Sequence, residues 1–191
     1  MTIIGNGAEA VIALVGNTVI KTRIQKHYRL KEIDESIRRD RTRTEARLIS
    51  EARRCGVPTP VIRDVTDFEI KMEYIDGIPL KEIINTALSG QTGELIGCLH
   101  NCGIVHGDLT TSNMLLKDGK LFLIDFGLAY LEKTVEARGV DIHVLFQTFE
   151  STHTDHEELI SAFKKGYART FRHADEVIER EKQIESRGRY A

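Results

Sequence analysis

No stretch of the 191-residue sequence approaches the ~20 consecutive apolar residues that a membrane-crossing helix needs. An integral membrane protein is therefore not expected, and neither is a membrane partner. Residues Met1 to Ala8 lack the basic start and apolar stretch of a secretory signal. Internal repeats and low-complexity tracts are absent. Cysteine is scarce: three residues, an odd number, do not make a complete disulfide framework and point to a reducing, cytoplasmic compartment. Net charge is also nearly absent, at −2. What remains is ordinary globular material, 41% hydrophobic and 29% charged, enough for one domain or two small lobes.

The near-neutral total conceals an asymmetry. Between Lys21 and Arg54 twelve Lys/Arg face six Asp/Glu, a local excess of six positive charges. Such a stretch reads as a solvated helix laced with ion pairs, or as a surface facing phosphate or an acidic partner. Cys98 and Cys102 lie four apart, with His100 between them and His106 beyond. Zinc sites usually use tighter cysteine pairs, so buried thiols on a helix beside Leu95 and Leu99 are the simpler reading.

Along the chain, strands are expected at Ile3-Ile4, Val11 to Val15 and Val19 to Lys21, with a small-residue loop, Gly5-Asn6-Gly7-Ala8, between the first two. A helix is expected over Asp34 to Arg54, stopped by Gly56-Val57-Pro58-Thr59-Pro60. Two more strands follow, Val61-Ile62 and Phe68 to Tyr74. Asp76-Gly77-Ile78-Pro79 has the composition of a hinge and divides the chain into lobes at 1–75 and 76–191. Beyond it come helices at Leu80 to Leu88 and Glu94 to Asn101. A hairpin joins Met114-Leu115-Leu116 to Leu121-Phe122-Leu123-Ile124, and helix then runs to about Arg187. Thr154 to Glu157 fits a capping box, with Leu159, Phe163 and Tyr167 behind it at helical spacing. The fold class is α+β: a small β-rich lobe with one long helix, then a helical lobe, with a cleft between.

Chemistry concentrates in His106-Gly107-Asp108-Leu109-Thr110-Thr111-Ser112-Asn113, followed twelve residues after Asn113 by Asp125-Phe126-Gly127. The ordered pair across a short hairpin resembles the catalytic half of the protein-kinase superfamily. Phosphoryl transfer gathers negative charge, and hard divalent metals prefer oxygen ligands. Asp125 offers a carboxylate and Asn113 an amide oxygen, while Asp108 can orient a hydroxyl and accept its proton. Lys21, fourteen residues after Gly7, is similar to the lysine that neutralises the α and β phosphates. Its carboxylate partner is expected at Glu45, on the helix face of Leu48 and Ala52, rather than at Glu51, which faces away. Gly5, Asn6, Gly7, Ala8 and Val11 are expected around the phosphates and adenine, with Ala10 where kinases carry a third glycine. Glu73 and Ile75 are expected to supply backbone groups to adenine. Asp141 reads either as an anchor beneath the catalytic loop or as a plain acid at a helix N-terminus.

The departures from ordinary kinases narrow the family. Gly107 replaces the usual arginine, Thr110 a frequent lysine, and no Ala-Pro-Glu follows in the remaining 64 residues. Loop phosphorylation and a peptide-docking platform are therefore not expected. Gly7 to Ala10, Lys26-His27-Tyr28-Arg29, Arg41 to Arg47, His106 to Asn113, Val140 to Leu145, Ser151-Thr152-His153 and the ending Arg187-Gly188-Arg189 closely resemble the small atypical kinase of the KEOPS complex, the PRPK family. That resemblance implies a minimal bilobal protein-kinase-like fold that autophosphorylates and hydrolyses ATP with Mg2+, or Mn2+ in its place. It implies a place in an assembly that installs threonylcarbamoyl on tRNA adenosine. There the C-lobe contacts the transferase subunit, the N-lobe another small subunit, and the tail tRNA, here through Arg187 and Arg189 with Arg180 and Lys182. Two competing readings are a small-molecule phosphotransferase of the aminoglycoside or choline type, which also uses His-Gly-Asp and Asn, and a nucleotide-binding scaffold without activity.

Overall fold

A computed structural model describes residues 1–188. The chain begins with β1 (Thr2–Asn6), β2 (Ala10–Val15) and β3 (Thr18–Arg23). Helix α1 (Lys31–Arg54) leads to β4 (Ile62–Val65) and β5 (Glu69–Glu73). These strands form one antiparallel sheet in the order β1-β2-β3-β5-β4. β-Branched residues dominate β2 and β3, as a pleated, half-buried surface favours. Helix α1 starts three residues before the expected Asp34. Its first half is held by polar contacts, such as Arg38 Nε to Asp34 Oδ2 at 2.7 Å. Ile33 stays exposed, while Leu48, Ile49 and Ala52 are fully buried. Gly56, at φ +85°, ends the helix in a left-handed conformation.

The second part starts with β6 (Ile78–Pro79) and the single turn α2 (Leu80–Ile83). The expected long helix to Leu88 breaks at Ile84, and α3 (Thr86–Asn101) runs on as one piece. The reason is a cap: the Asn85 side chain accepts the Leu88 N–H at 3.0 Å. Gly90 and Gly93, which look like interruptions, lie inside α3 because α5 (His156–Thr170) packs against it at backbone distance. A Cβ on Gly93 would meet Phe163 O at 2.2 Å, and one on Gly166 would meet Gly90 O at 1.9 Å. Between these helices lie β7 (Ile104–Val105), β8 (Met114–Lys117), β9 (Lys120–Leu123), β10 (Tyr130–Leu131) and α4 (Val135–Thr152). Helix α6 (Ala174–Gly188) follows α5. Strand β8 pairs with β6 and β9, and β7 pairs with β10.

The main hydrophobic core gathers Ile96, Leu99, Leu109, Phe126, Phe149, Phe163 and Tyr167 around α3, α4 and α5. It also takes in Leu48, Ile49 and Ala52 from α1 and Val57 just beyond it, so this helix belongs to both halves: its middle faces the sheet, its end the helical core. A small second cluster, Ala46, Ile70 and Met72, seals α1 to the sheet. Leu159, Phe163 and Tyr167 are buried as expected. The capping box at Thr154 does not form; Asp155 precedes α5 without a side-chain cap.

Cysteine pairing departs from expectation. Cys102 bonds Cys55, tying the end of α1 to the end of α3 across 47 residues, and Cys98 is free. The sequence reading took the cysteines as reduced thiols; a bond from Cys102 to a residue 47 positions away depends on where α1 ends and has no local signal. Among the described residues no cluster of three or more His, Cys, Asp or Glu could hold a metal ion, so the Cys98–Cys102 metal reading has no support. Among the same residues no helix is long and apolar enough to cross a membrane.

Candidate active site

The cleft is built from both halves. From the sheet, the β2–β3 register pairs Ile12 with Lys21 and Ala10 with Arg23. Side chains alternate across a strand, so these four residues share the face turned to the cleft. Ile12 therefore lines the cavity, and Val11, the residue expected there, falls on the opposite face. From α1, Glu45 is buried on the same side as Leu48 and Ala52, as expected, while Glu51 points toward Arg47.

Lys21 Nζ donates to Glu45 Oε1 at 2.6 Å and to Asp125 Oδ1 at 2.7 Å. Burial pulls the Lys21 ammonium down, but the Glu45 and Asp125 carboxylates outweigh it, and its pKa ends above the ordinary lysine value. Burial pushes Asp125 up, and the charge and hydrogen bond of Lys21, with the Gly127 N–H at 3.1 Å, hold it below the usual aspartate value. Arg23 Nη2 reaches the other Glu45 oxygen at 2.5 Å. Glu45 thus bridges two buried cations. The sequence reading missed Arg23; its position two residues beyond Lys21 on the same strand face was the available signal.

On the other wall, the 111–113 turn precedes β8 and carries Asn113. The Asn113 Nδ2 donates to Asp108 O and to Asp108 Oδ2, both at 2.9 Å. That orientation leaves the amide oxygen available, and the Asp125 oxygen not engaged by Lys21 adds a second hard donor. A carboxylate and an amide oxygen suit Mg2+, with substrate phosphates and water completing its shell.

The 106–113 loop hangs from one buried acid. Asp141, on α4, accepts the His106 N–H on Oδ2 and the Gly107 N–H on Oδ1, each at 2.8 Å. It is an anchor beneath the loop, not a surface acid. Burial raises its pKa, and the hydrogen bond from His100 leads the contacts that hold it below the ordinary value. His100 Nε2 lies 3.2 Å from Asp141 Oδ2, and Tyr167 OH lies 2.8 Å from His100 Nδ1, so the network reaches through α3 into α5. His106 Nε2 meets Ile124 O at 3.1 Å, joining the loop to the segment before Asp125. Gly107 sits at φ +78°, and a Cβ there would lie 2.3 Å from Leu128 O. The arginine common at this position has no room.

Two adjoining cavities result. One, of about 290 Å³, is lined by apolar residues including Ile12, Val19, Met72 and Leu115, with Glu73, Tyr74 and Ile75 along one rim and Lys21, Asn113 and Asp125 at its inner end. The other, of about 450 Å³, lies under Gly5, Asn6, Gly7 and Ala8 and contains Asp108, Asp125, Lys21 and Arg41. An apolar slot opening into a polar chamber matches a base at one end and phosphates at the other. Apart from Val11, the cleft residues expected from the sequence meet here. Arg187 lies near the end of α6, away from the cleft, and Arg189 lies outside the described residues.

Comparison with known proteins agrees with this geometry. A RIO domain family model matches residues 17–161. A Methanosarcina mazei protein named as a probable bifunctional tRNA threonylcarbamoyladenosine biosynthesis protein is 59% identical over 99% of this chain. The match takes up 36% of that relative, so the chain spans about a third of its length. KEOPS complex subunit Bud32 of Pyrococcus abyssi is 42% identical, with 100% of this chain and 96% of that protein covered. Among solved structures, the Rio2 kinase of Chaetomium thermophilum with ADP, Mg2+ and phosphoaspartate superposes with a TM-score of 0.68 at 17% identity, covering 100% of this chain and 72% of that one. This likeness establishes the protein-kinase-like fold. With the RIO model spanning most of the sequence and a near full-length Bud32 relative, the chain belongs to the RIO-domain family of atypical kinase-like proteins, in its Bud32 group.

Proposed function

We propose that this chain is an ATP-dependent atypical serine/threonine kinase and ATPase that serves a KEOPS-type tRNA threonylcarbamoyladenosine machinery. The observation that carries the reading is the meeting of Lys21 and Asp125 opposite the Asp108–Asn113 pair in one cleft. Adenine occupies the apolar slot against Ile12 and the Glu73–Ile75 backbone. The triphosphate runs beneath Gly5 to Ala8 toward Lys21, which Glu45 holds in place. Asn113 and Asp125 would hold Mg2+, which when bound would supply charge neutralisation to the transferring phosphoryl group. Asp108 orients the attacking hydroxyl or water and takes its proton, while its bond to Asn113 ties that role to the metal-binding amide.

The lobes are 1–75 and 76–191, with α1 bridging them through the main core. Autophosphorylation, ATP hydrolysis, Mn2+ substitution and a cytoplasmic location accompany this reading. So do contacts of the C-lobe with a threonylcarbamoyltransferase subunit, of the N-lobe with a small subunit, and of the tail, including Arg187 and Arg189, with tRNA. The names of the relatives support the tRNA-modification setting and do not favour the small-molecule phosphotransferase. The deciding experiment is ATP turnover of the purified chain with and without a transferase partner and tRNA. Stimulation by both is expected. Indifference to both, with turnover on an aminoglycoside or choline, would overturn the reading.

A further inference from the structure

The chamber under the glycine loop is lined by charges of both signs. Its cations are Lys21, Arg23 and Arg41, and its wall also carries Asp108, Asp125 and Glu9. Two of the cations are committed: Lys21 to Glu45 and Asp125, and Arg23 through Nη2 to Glu45. The catalytic loop from His106 to Asn113 contains no lysine or arginine. The terminal phosphate of a nucleoside triphosphate therefore finds no uncommitted positive side chain on the loop that carries Asp108.

Arg41 is held differently. Its Nη1 donates to Glu9 Oε2 at 2.8 Å, and both side chains are close to half exposed, at 40% and 44%. An ion pair of that exposure adds little net stability, because water and salt screen it. A guanidinium offers a fork of donors that matches phosphate oxygens, and a phosphate dianion is the stronger partner. Glu9 is itself part of the glycine loop: Ile24 N donates to Glu9 O at 3.1 Å, and Gly7 N to Ala10 O at 3.0 Å. The Arg41–Glu9 pair thus straps the loop to α1, the helix that also carries Glu45.

We infer that Arg41 is the terminal-phosphate receptor of this site, parked on Glu9 until a nucleoside triphosphate displaces that carboxylate. The inference rests on the ATP reading above and adds to it a residue that distinguishes triphosphate from diphosphate. Because Arg41 and Glu45 share α1, engagement of the terminal phosphate also reports to the Lys21–Glu45 pair.

The test is calorimetric titration of the full chain with Mg-ATP, a non-hydrolysable ATP analogue and Mg-ADP, for the wild type, Arg41→Ala, Arg41→Lys and Glu9→Gln. Arg41→Ala is expected to weaken triphosphate binding about tenfold, the scale of one charge-assisted contact, and to leave ADP binding within about twofold. Arg41→Lys is expected to fall between. Glu9→Gln, which frees the guanidinium, is expected to tighten triphosphate binding by up to about fivefold. ADP binding serves as the folding control. Equal loss of ATP and ADP affinity in Arg41→Ala would make the residue a structural strap and overturn the inference, as would no loss for either. A wild type that binds neither nucleotide would overturn the ATP reading itself.

Discussion

Lys21 and Asp125, 104 residues apart in sequence, meet at 2.7 Å across the cleft. One comes from the sheet and the other follows β9, so their contact joins the two walls of the cleft. Glu45 accepts a second hydrogen bond from the same ammonium, and Lys21 is 8% exposed. A buried charge with two partners is costly to remove, since each partner keeps its own desolvation cost. Lys21→Met is expected to abolish ATP-dependent turnover and to lower stability by about 1–3 kcal/mol, measured by urea unfolding, because Arg23 still pairs Glu45 and the Asp125 side chain is 42% exposed. Unchanged stability would mean that the pair is not formed in solution.

Asp108→Ala separates chemistry from binding. Asp108 reaches the cleft but is not the partner of Lys21, so nucleotide affinity is expected to stay within a few-fold. Turnover is expected to fall by about 10²–10⁴, the usual contribution of a positioned base. Loss of the side-chain bond leaves the Asn113 amide held only by the 108 carbonyl, so residual activity is expected to require more Mg2+. A titration of rate against Mg2+ checks both parts, and full turnover would remove Asp108 from the mechanism.

Acid sensitivity follows from two aspartates. Asp125 and Asp141 both have folded-state pKa values below the ordinary 3.8. A depressed carboxylate contributes stability that is present above its unfolded value and is lost as pH falls through the folded one. The wild type is therefore expected to lose stability steeply below about pH 4. Asp141→Asn is expected to be less stable at neutral pH and to show a flatter decline in acid. Parallel acid limbs would show that Asp141 carries no such linkage.

Much of this was legible because kinase chemistry is written in short, ordered segments. Asp108, Asn113 and Asp125 announce themselves by spacing, and Glu45 by sharing a helix face with Leu48 and Ala52. Other features were hidden in tertiary geometry. Val11, expected in the cleft, and Ile12, found there, are adjacent and both apolar, and only the register of Ile12 opposite Lys21 decides which faces the cleft. The break at Ile84 depends on a cap at Asn85 that competes with strong helix formers around it. Gly90, Gly93 and Gly166 weaken helices by propensity, yet here they let α3 and α5 touch, a gain that local sequence does not reveal. The His100–Tyr167 support of Asp141 joins three helices and has no local signature.

That close approach is itself testable. The Cβ of Gly93→Ala would strike Phe163 O at 2.2 Å, and this backbone atom cannot swing aside. Gly93→Ala is expected to destabilise by about 1–3 kcal/mol, against the small gain an alanine brings to an unconstrained helix. Thermal unfolding measures the sign directly, and stabilisation would show that the two helices sit further apart.

The central claim is that one cleft binds ATP through a metal held by Asn113 and Asp125 and a cation held by Glu45. ATP titration with and without Mg2+, on the wild type and on Asp125→Asn, addresses it most directly. The account predicts that Mg2+ strengthens ATP binding to the wild type and that Asp125→Asn loses this gain. Equal strengthening by Mg2+ in both proteins, or no ATP binding by the wild type, would contradict it.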